Sequence, residues 1–506
     1  MKKLIIIFFI AFIGTNFLIS QTVNGDTLTY DGKKILKVWG THSERGYAYG
    51  YLMGNEIKDV AENYVLASVF ANSAYVYSFA RTYFSDHFSV EENYQEEVQG
   101  MIAGMQDAGV DLYSSVLGRD LDETDILVAN SIVDLSSMNL TAGEVRFGCS
   151  SLSDWGTSTQ ADPELNGNLV ICRHMDWTAN QTLLENHLLL VNIPSEENEI
   201  AWISFTFPGM IGALSGISQN GIAAFMDVGN YNSVTDENDL HPIFLSIRNG
   251  LEQQDYNSDG EINPTDVYRA ISDKTHLSPS IVHAVNYQSG IVIETNNALG
   301  SVVREDTDNT QIPENNLAAT NHFRELYSPV YCYRYEAIID SLNADANVSV
   351  ARNWNILCGA AGNVSTLHTI QYVPTLNFVK WSTAKAGMPA YLEEPTEFDI
   401  NELFSVSSYE NEELTDKMNV KIFPNPFSDY LNINFDLANL GDGFKFEIYN
   451  LKGEKIGCYE KNDLHSSNLK LSRNIFFPDE KISTGIFFYK LKVSNYFKTG
   501  KILFIK

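Results

Sequence analysis

The residue best placed to do chemistry is Cys149, in RFGCSSLSDWG (146–156), where a glycine precedes it and two serines follow. If the Gly148–Cys149 bond were opened, one residue would carry both a thiol and a free α-amine. Such an amine has an ordinary pKa of about 7.7–8.0. It can take the proton of the thiol and later hand it to a leaving amine. Opening the bond needs no second protein. Gly148 has no Cβ, so its carbonyl can be approached at low steric cost by the neighbouring sulfur, and water would resolve the thioester.

Two charged residues downstream suit this chemistry. In GNLVICRHMDW (167–177), Arg173 would favour a thiolate and hold substrate oxygens, and Asp176 would accept a hydrogen bond from the new amine. The segment after Cys149 reads as a strand over 150–159, a Pro/Asn/Gly turn over 162–168 and a second strand over 169–177. This hairpin returns Arg173 and Asp176 towards the cysteine. Residues three apart on a regular strand lie on opposite faces, so Asp176 is expected at a strand end or beyond a bulge.

A second motif is DYNSDGEINPTD (255–266). Asp255, Asn257, Asp259, Glu261 (through its carbonyl), Asn263 and Asp266 have the spacing at which oxygens converge on calcium, and Gly260 permits the sharp turn. No cofactor is expected for catalysis, and the calcium would be structural.

The elements around these residues change character along the chain. Segments near 46–70 and 89–109 carry apolar residues at helical spacing. From Gly148 onward short β-branched and aromatic runs between Gly, Asn and Pro predict strands, and helix returns near 331–342. The aromatic helix NSAYVYSFARTYFSDHF (72–88) reads first as a core stripe and second as an acyl-pocket wall. Residues 1–20 form a secretory leader, with two lysines before a short apolar run at 4–13. Residues 21–148 and 149–395 would be the two chains of one cleaved domain, 396–418 an acidic linker, and 419–506 a small β-sandwich.

The net charge of −30 over 506 residues excludes a counterion-releasing nucleic-acid surface. That charge lies upstream, because 419–506 has 13 basic against 9 acidic residues. The five cysteines (149, 172, 332, 358, 458) show no CxxC pair and, being odd in number, leave at least one thiol free. Histidines 174, 322 and 368 offer a Cys–His alternative that the α-amine makes unnecessary.

The order GCSS…DWG…GNLVICRHMDW resembles the N-terminal-nucleophile hydrolases. Within them it is most similar to the isopenicillin N acyltransferase-like, choloylglycine hydrolase and acid ceramidase group. GTHSERGYAYGYLMG (40–54), GISQNGIAAFMDV (216–228), ATNHF (319–323), YCYRYE (331–336) and TLHTIQYVP (366–374) resemble further signatures of that group in the same order. The resemblance implies an α+β fold, an αββα sandwich split between Gly148 and Cys149, that hydrolyses a non-peptide amide of a small N-acyl substrate. It implies Asn321 as oxyanion donor and Arg334 as electrostatic support, with Asp227 a further site member where the group often has an Asn. Acyl transfer to an amine, dipeptidase action and a non-catalytic calcium-dependent surface binder stay open. PNP (424–426), IYNLKGEKI (448–456), STGIFFYKL (483–491) and the terminal KTGKILFIK resemble the type IX secretion sorting domain. That implies the type IX machinery as a partner and a secreted or surface location on a Gram-negative cell.

Overall fold

A computed structural model describes residues 22–142, 147–231, 234–309, 311–361, 365–405, 420–435, 442–450, 455–463, 468–476, 484–493 and 496–505. The expected leader (1–20) and residues 406–418 of the expected linker lie outside the described residues. Among the described residues no helix is long and apolar enough to cross a membrane. The chain divides into two compact units, Met1–Ser405 and Val406–Lys506.

In chain order, the principal strands of the first unit begin with β1 (Gly25–Tyr30), β2 (Lys33–Gly40), β3 (Phe147–Asp154), β4 (Val170–Trp177) and β5 (Leu188–Pro194). They continue with β6 (Trp202–Thr206), β7 (Ser215–Ser218), β8 (Ala223–Val228), β9 (Ser280–Val285) and β10 (Gly290–Asn296). The last are β11 (Gly300–Arg304), β12 (Asn316–Thr320), β13 (Thr366–Val373), β14 (Phe378–Thr383) and β15 (Thr396–Asp399). Two sheets result: nine strands in the order β1-β2-β5-β6-β7-β8-β9-β10-β11, and six in the order β12-β3-β4-β13-β14-β15.

Three apolar cores follow from strand alternation. Phe205, Phe225 and Ile281 of the larger sheet pack with Ile171, Tyr372 and Trp381 of the smaller. The other face of the larger sheet (Leu190, Trp202, Met226) packs with the helical region. That region includes α1 (His42–Val60), α2 (Ala74–His87), α3 (Glu92–Asp107), α4 (Glu123–Asn130), α5 (Ile243–Glu252) and α6 (Pro264–Ser272). The other face of the smaller sheet (Leu152, Cys172, Ala318) packs with α7 (Tyr333–Ala344) and α8 (Val350–Ala360).

The THSERG motif starts α1 with a capping box: Thr41 accepts from the Glu44 amide, and the Glu44 side chain returns to the Thr41 amide. The glycines that follow permit backbone contact with α3. A Cβ on Gly46 would lie 1.8 Å from the Glu97 carbonyl oxygen, and one on Gly50 would lie 1.9 Å from that of Met101.

Residues 396–404, expected as the start of an irregular linker, are regular structure instead. Thr396 and Phe398 are buried while Glu397 and Asp399 are exposed, and this alternation lets 396–399 add as β15 to β14. Ile400–Phe404 then forms a short helix, α9, whose Ile400 and Leu403 are buried. The second unit holds a three-stranded and a four-stranded sheet around Leu431, Ile433, Phe446, Ile448 and Leu491.

One cross-sheet clamp holds β3, the strand that carries Cys149. His283 of β9 hydrogen-bonds Ser151 Oγ and Ser153 Oγ of β3, each at 2.8 Å. Burial pushes the imidazole pKa down to about 3, so it is neutral and bridges one serine as donor and the other as acceptor. The unfolded chain therefore binds this proton between pH 6.5 and 3 and the folded chain does not. The contribution of His283 to stability is complete above pH 6.5 and declines as pH falls, by about 1.4 kcal/mol per unit. Paired denaturation curves of wild type and His283→Gln should converge as pH is lowered from 6.5 to 4. Curves that stay parallel would refute the clamp.

Candidate active site

The β3–β4 hairpin pairs Gly148 with Asp176, Cys149 with Met175 and Ser151 with Arg173. Cross-strand partners share a face. Cys149, Met175 and Arg173 thus point towards the larger sheet, whereas Asp176 points towards α7 and α8. The tension in the Arg-x-x-Asp spacing resolves by using both faces. Asp176 is the penultimate residue of β4, and the pairing of β13 shifts beside it, between Thr366 and His368.

On the inter-sheet face Arg173 Nη2 reaches Cys149 Sγ at 3.5 Å and donates to the Met226 carbonyl at 2.7 Å. Asp227, on β8, is fully buried, and neither of its carboxylate oxygens has a hydrogen-bond partner. Arg173 Nε and Nη1 are likewise without partners. Phe225, of the same parity as Asp227, lies in the inter-sheet core, so the carboxyl of Asp227 faces the space that holds Arg173 and Cys149. Burial pushes Asp227 up to about 7, with Arg173 and Arg334 opposing that rise.

The backbone of Cys149 is held at both polar atoms. Its amide donates to Asn321 Oδ1 at 2.7 Å, and its carbonyl accepts from Arg334 Nη1. Arg334 also donates to Asn321 Oδ1 at 2.5 Å and meets Asp176 Oδ2 at 3.4 Å. Thr366 Oγ1 donates to Asp176 Oδ1 at 2.6 Å, and Asn321 Nδ2 donates to the Val228 carbonyl at 2.8 Å. Burial raises Asp176 to about 6 while Thr366 and Arg334 oppose it. In the unbroken chain the nitrogen of Cys149 is therefore bonded to Asn321, and Asp176 anchors Arg334.

Cys149, Arg173, Asp176, Asn321, Arg334 and Asp227 converge, and Gly148 joins them through space. A Cβ at position 148 would lie 3.2 Å from Asp176 Cβ and 3.4 Å from its Oδ2. The three histidines have other contacts or chemistry. His174 contacts the Cys358 sulfur at 3.8 Å, and His368 bonds His187 at 2.8 Å. His322 lies against Cys332: burial raises that thiol, but hydrogen bonding with His322, the Tyr335 backbone and Thr320 outweighs it and holds it down near 6.

Sequence reasoning missed Thr366, although it opens the quoted strand TLHTIQYVP. It also missed an apolar cavity that reaches Met175 and Trp177, the residues beside Cys149 and Asp176. Its walls include Tyr64, Leu66, Tyr77 and Phe207. From the aromatic helix 72–88 Tyr77 enters this wall, while Tyr75 and Phe79 are exposed.

The calcium-like loop lies before α6. Asn263 caps that helix and forms a capping box with Asp266, which also accepts from the Asn257 amide at 3.3 Å. Asp255 Oδ2 accepts from the Gly260 amide at 2.9 Å, and its Oδ1 has no partner. Asp259 accepts from Asn257 Nδ2 and the Glu261 amide.

Residues 421–506 match the secretion system C-terminal sorting domain, which marks the chain for type IX export to the cell surface or beyond. No curated protein matches the sequence. Among solved structures, the chain is similar to the Caenorhabditis elegans ortholog of N-acylethanolamine-hydrolyzing acid amidase, at 16% identity. That match covers 45% of this chain and 94% of that one, with a TM-score of 0.34. A variant of conjugated bile acid hydrolase from Clostridium perfringens aligns at 11% identity over 57% of this chain and 97% of that one, with a TM-score of 0.31.

Full burial pushes the Cys149 thiol up to about 12 although Arg173 opposes the rise. In the unbroken chain the thiolate fraction at pH 8 is then on the order of 10⁻⁴. Mass-mapped alkylation of unbroken protein by iodoacetamide at pH 8 should label the exposed Cys458 at least a hundred times faster than Cys149. Comparable rates would contradict this environment.

Proposed function

We propose that this protein is a secreted, self-cleaving cysteine amidase with the four-layer αββα architecture of the N-terminal-nucleophile hydrolases. The observation that carries the reading is the investment in a single residue. Arg173 attends the sulfur of Cys149, Asn321 its nitrogen and Arg334 its carbonyl. A structural cysteine needs none of these.

In the first reaction Cys149 Sγ adds to the Gly148 carbonyl carbon. The carbon–nitrogen bond breaks, and the nitrogen leaves protonated as the α-amine of Cys149. Water then hydrolyses the thioester, leaving a Gly148 carboxylate. No α-amine exists before this step. Asp227, raised to about 7 and without a partner, is the base matched to neutral pH for the thiol proton. In the second reaction the α-amine takes the thiol proton, the sulfur attacks the substrate amide, and the proton passes to the departing amine. Water releases the acyl group from sulfur. Arg173 stabilises the sulfur's negative charge, and Arg334, fixed by Asp176, holds Asn321 and the Cys149 backbone.

The apolar walls beside Met175 favour an apolar acyl group of the N-acyl substrate. Wild-type protein should give two fragments with a new N-terminus at Cys149, and Cys149→Ala should stay whole. Cleaved protein should hydrolyse amides of apolar acids, and Arg173→Leu should lower kcat about 10²–10³-fold. Intact mass and a panel of N-acyl amines check this. Release to water identifies a hydrolase, and transfer to an added amine an acyltransferase. An unbroken wild type that turns over substrate, or binds ligand without turnover, would defeat the mechanism.

The loop 255–266 is proposed to hold calcium through Asp255, Asn257, Asp259, the Glu261 carbonyl, Asn263 and Asp266. The unpartnered Asp255 Oδ1 and the return of Asp266 from the first turn of α6 fit such a cation. Calcium at a hundred times its Kd would stabilise the fold by about 2.7 kcal/mol. Thermal unfolding should therefore rise with calcium and fall with chelator in wild type, and be insensitive to both in Asp255→Ala/Asp259→Ala. A wild type indifferent to both would remove the site.

A further inference from the structure

Glu294 lies outside every motif considered so far. It sits on β10, is fully buried, and by parity with Val292 points into the inter-sheet space. Its carboxylate gathers three consecutive backbone amides beyond β12. Arg324 N donates at 2.9 and 3.0 Å to its two oxygens, Glu325 N at 2.9 Å and Leu326 N at 2.9 Å. Arg304, on β11, neutralises it at 3.2 Å and donates to the Ala318 carbonyl of β12 at 2.8 Å.

These bonds bracket Asn321. Ala318 lies three residues before it and Arg324 three residues after, and both are tied to the same buried ion pair. The Arg324 guanidinium lies 3.9 Å from the centre of the Tyr335 ring on α7, the helix whose first turn carries Arg334. One carboxylate thus fixes the exit of β12 and the approach to α7, the two points that aim Asn321 and Arg334 at Cys149.

We propose that Glu294 is a positioning residue for the Cys149 site, setting the geometry of Asn321 and Arg334 through the 321–334 connector. The proposal rests on the reading of Cys149 as the nucleophile. The chemistry requires an anion. A carboxylate only accepts, and each of its four neighbours here donates, in five hydrogen bonds. Glutamine would turn an NH₂ group towards backbone N–H groups or towards a guanidinium. A shift of about 1 Å at a reacting group costs up to about a hundredfold in rate.

The test compares wild type, Glu294→Gln, Glu294→Asp and Ile293→Val, the last a core change on the opposite face of the same strand. Hydrogen exchange at 319–334 should quicken in Glu294→Gln and stay at the wild-type level in Ile293→Val. Self-cleavage before Cys149, measured well below each unfolding midpoint, should slow about tenfold or more in Glu294→Gln. Turnover should fall in kcat with KM nearly unchanged, and Ile293→Val should match wild type in rate. If Glu294→Gln does not fold, Glu294→Asp, which keeps the charge but withdraws it by one methylene, should show the same changes in smaller degree. Unchanged exchange at 319–334, or wild-type cleavage and kcat in a folded variant, overturns the proposal. A wild type that never cleaves refutes the amidase reading instead, and the exchange comparison still decides whether Glu294 sets the connector.

Discussion

The site depends on holding one buried cysteine by its backbone as well as by its sulfur. A mid-strand residue ordinarily spends its amide and carbonyl on neighbouring strands. Here the amide goes to Asn321 and the carbonyl to Arg334, so the ladder yields to side chains where a cut would occur. Those side chains must themselves be rigid. Asn321 is fixed through Val228 and Arg334 through Asp176, which Thr366 holds in turn. Arg334 and Asp176, on the helix side of the smaller sheet, thus address the Cys149 carbonyl, and Arg173, on the inter-sheet side, addresses the sulfur. This division explains why the arginine and aspartate of one strand are three residues apart.

Most of the first unit's outline was legible because its signals are local. Helical periodicity placed α1 and α3, and short β-branched runs placed β4, β5, β6, β8 and β10. The Pro/Asn/Gly stretch at 162–168 marked the hairpin that sets Cys149 opposite Met175. What escaped is what the sequence pattern cannot carry. The strand β15 looked like linker because its acidic residues dominate the composition, yet Thr396 and Phe398 alternate with them and bury. Thr366 and Glu294 act through partners about 190 and 30 residues away, separations no motif encodes. The cavity beside Met175 gathers side chains from the helical region and both sheets, and no single segment announces it.

The two units differ in electrostatic character. The 88 residues from 419 onward carry a small excess of basic residues, so the upstream region bears the large negative charge of the chain. The matched sorting domain accounts for the second unit by export, and its sheets and apolar core need no catalytic role. Function is to be sought in the first unit. There the acidic field would favour cationic ligands at long range, while the cavity beside Met175 is mostly apolar. Charge therefore bears on approach and solubility, and the shape and polarity of the cavity bear on selection.

The inter-sheet space also holds hydrogen-bonding capacity that folding leaves unused. Two nitrogens of Arg173 and both oxygens of Asp227 are buried without partners. Leaving such a group unsatisfied costs on the order of 1–3 kcal/mol, and more when it is charged. A sequence selected for stability alone would pair the two or replace them with apolar residues. The arrangement is economical only if something polar arrives, which in the proposed mechanism is first the α-amine of Cys149 and then the amide of a substrate. The raised thiol has the same logic. A sulfur that is protonated and buried until a base and a polar partner enter is protected from adventitious chemistry, and in the proposed mechanism the groups that activate it are those that the first cut would supply.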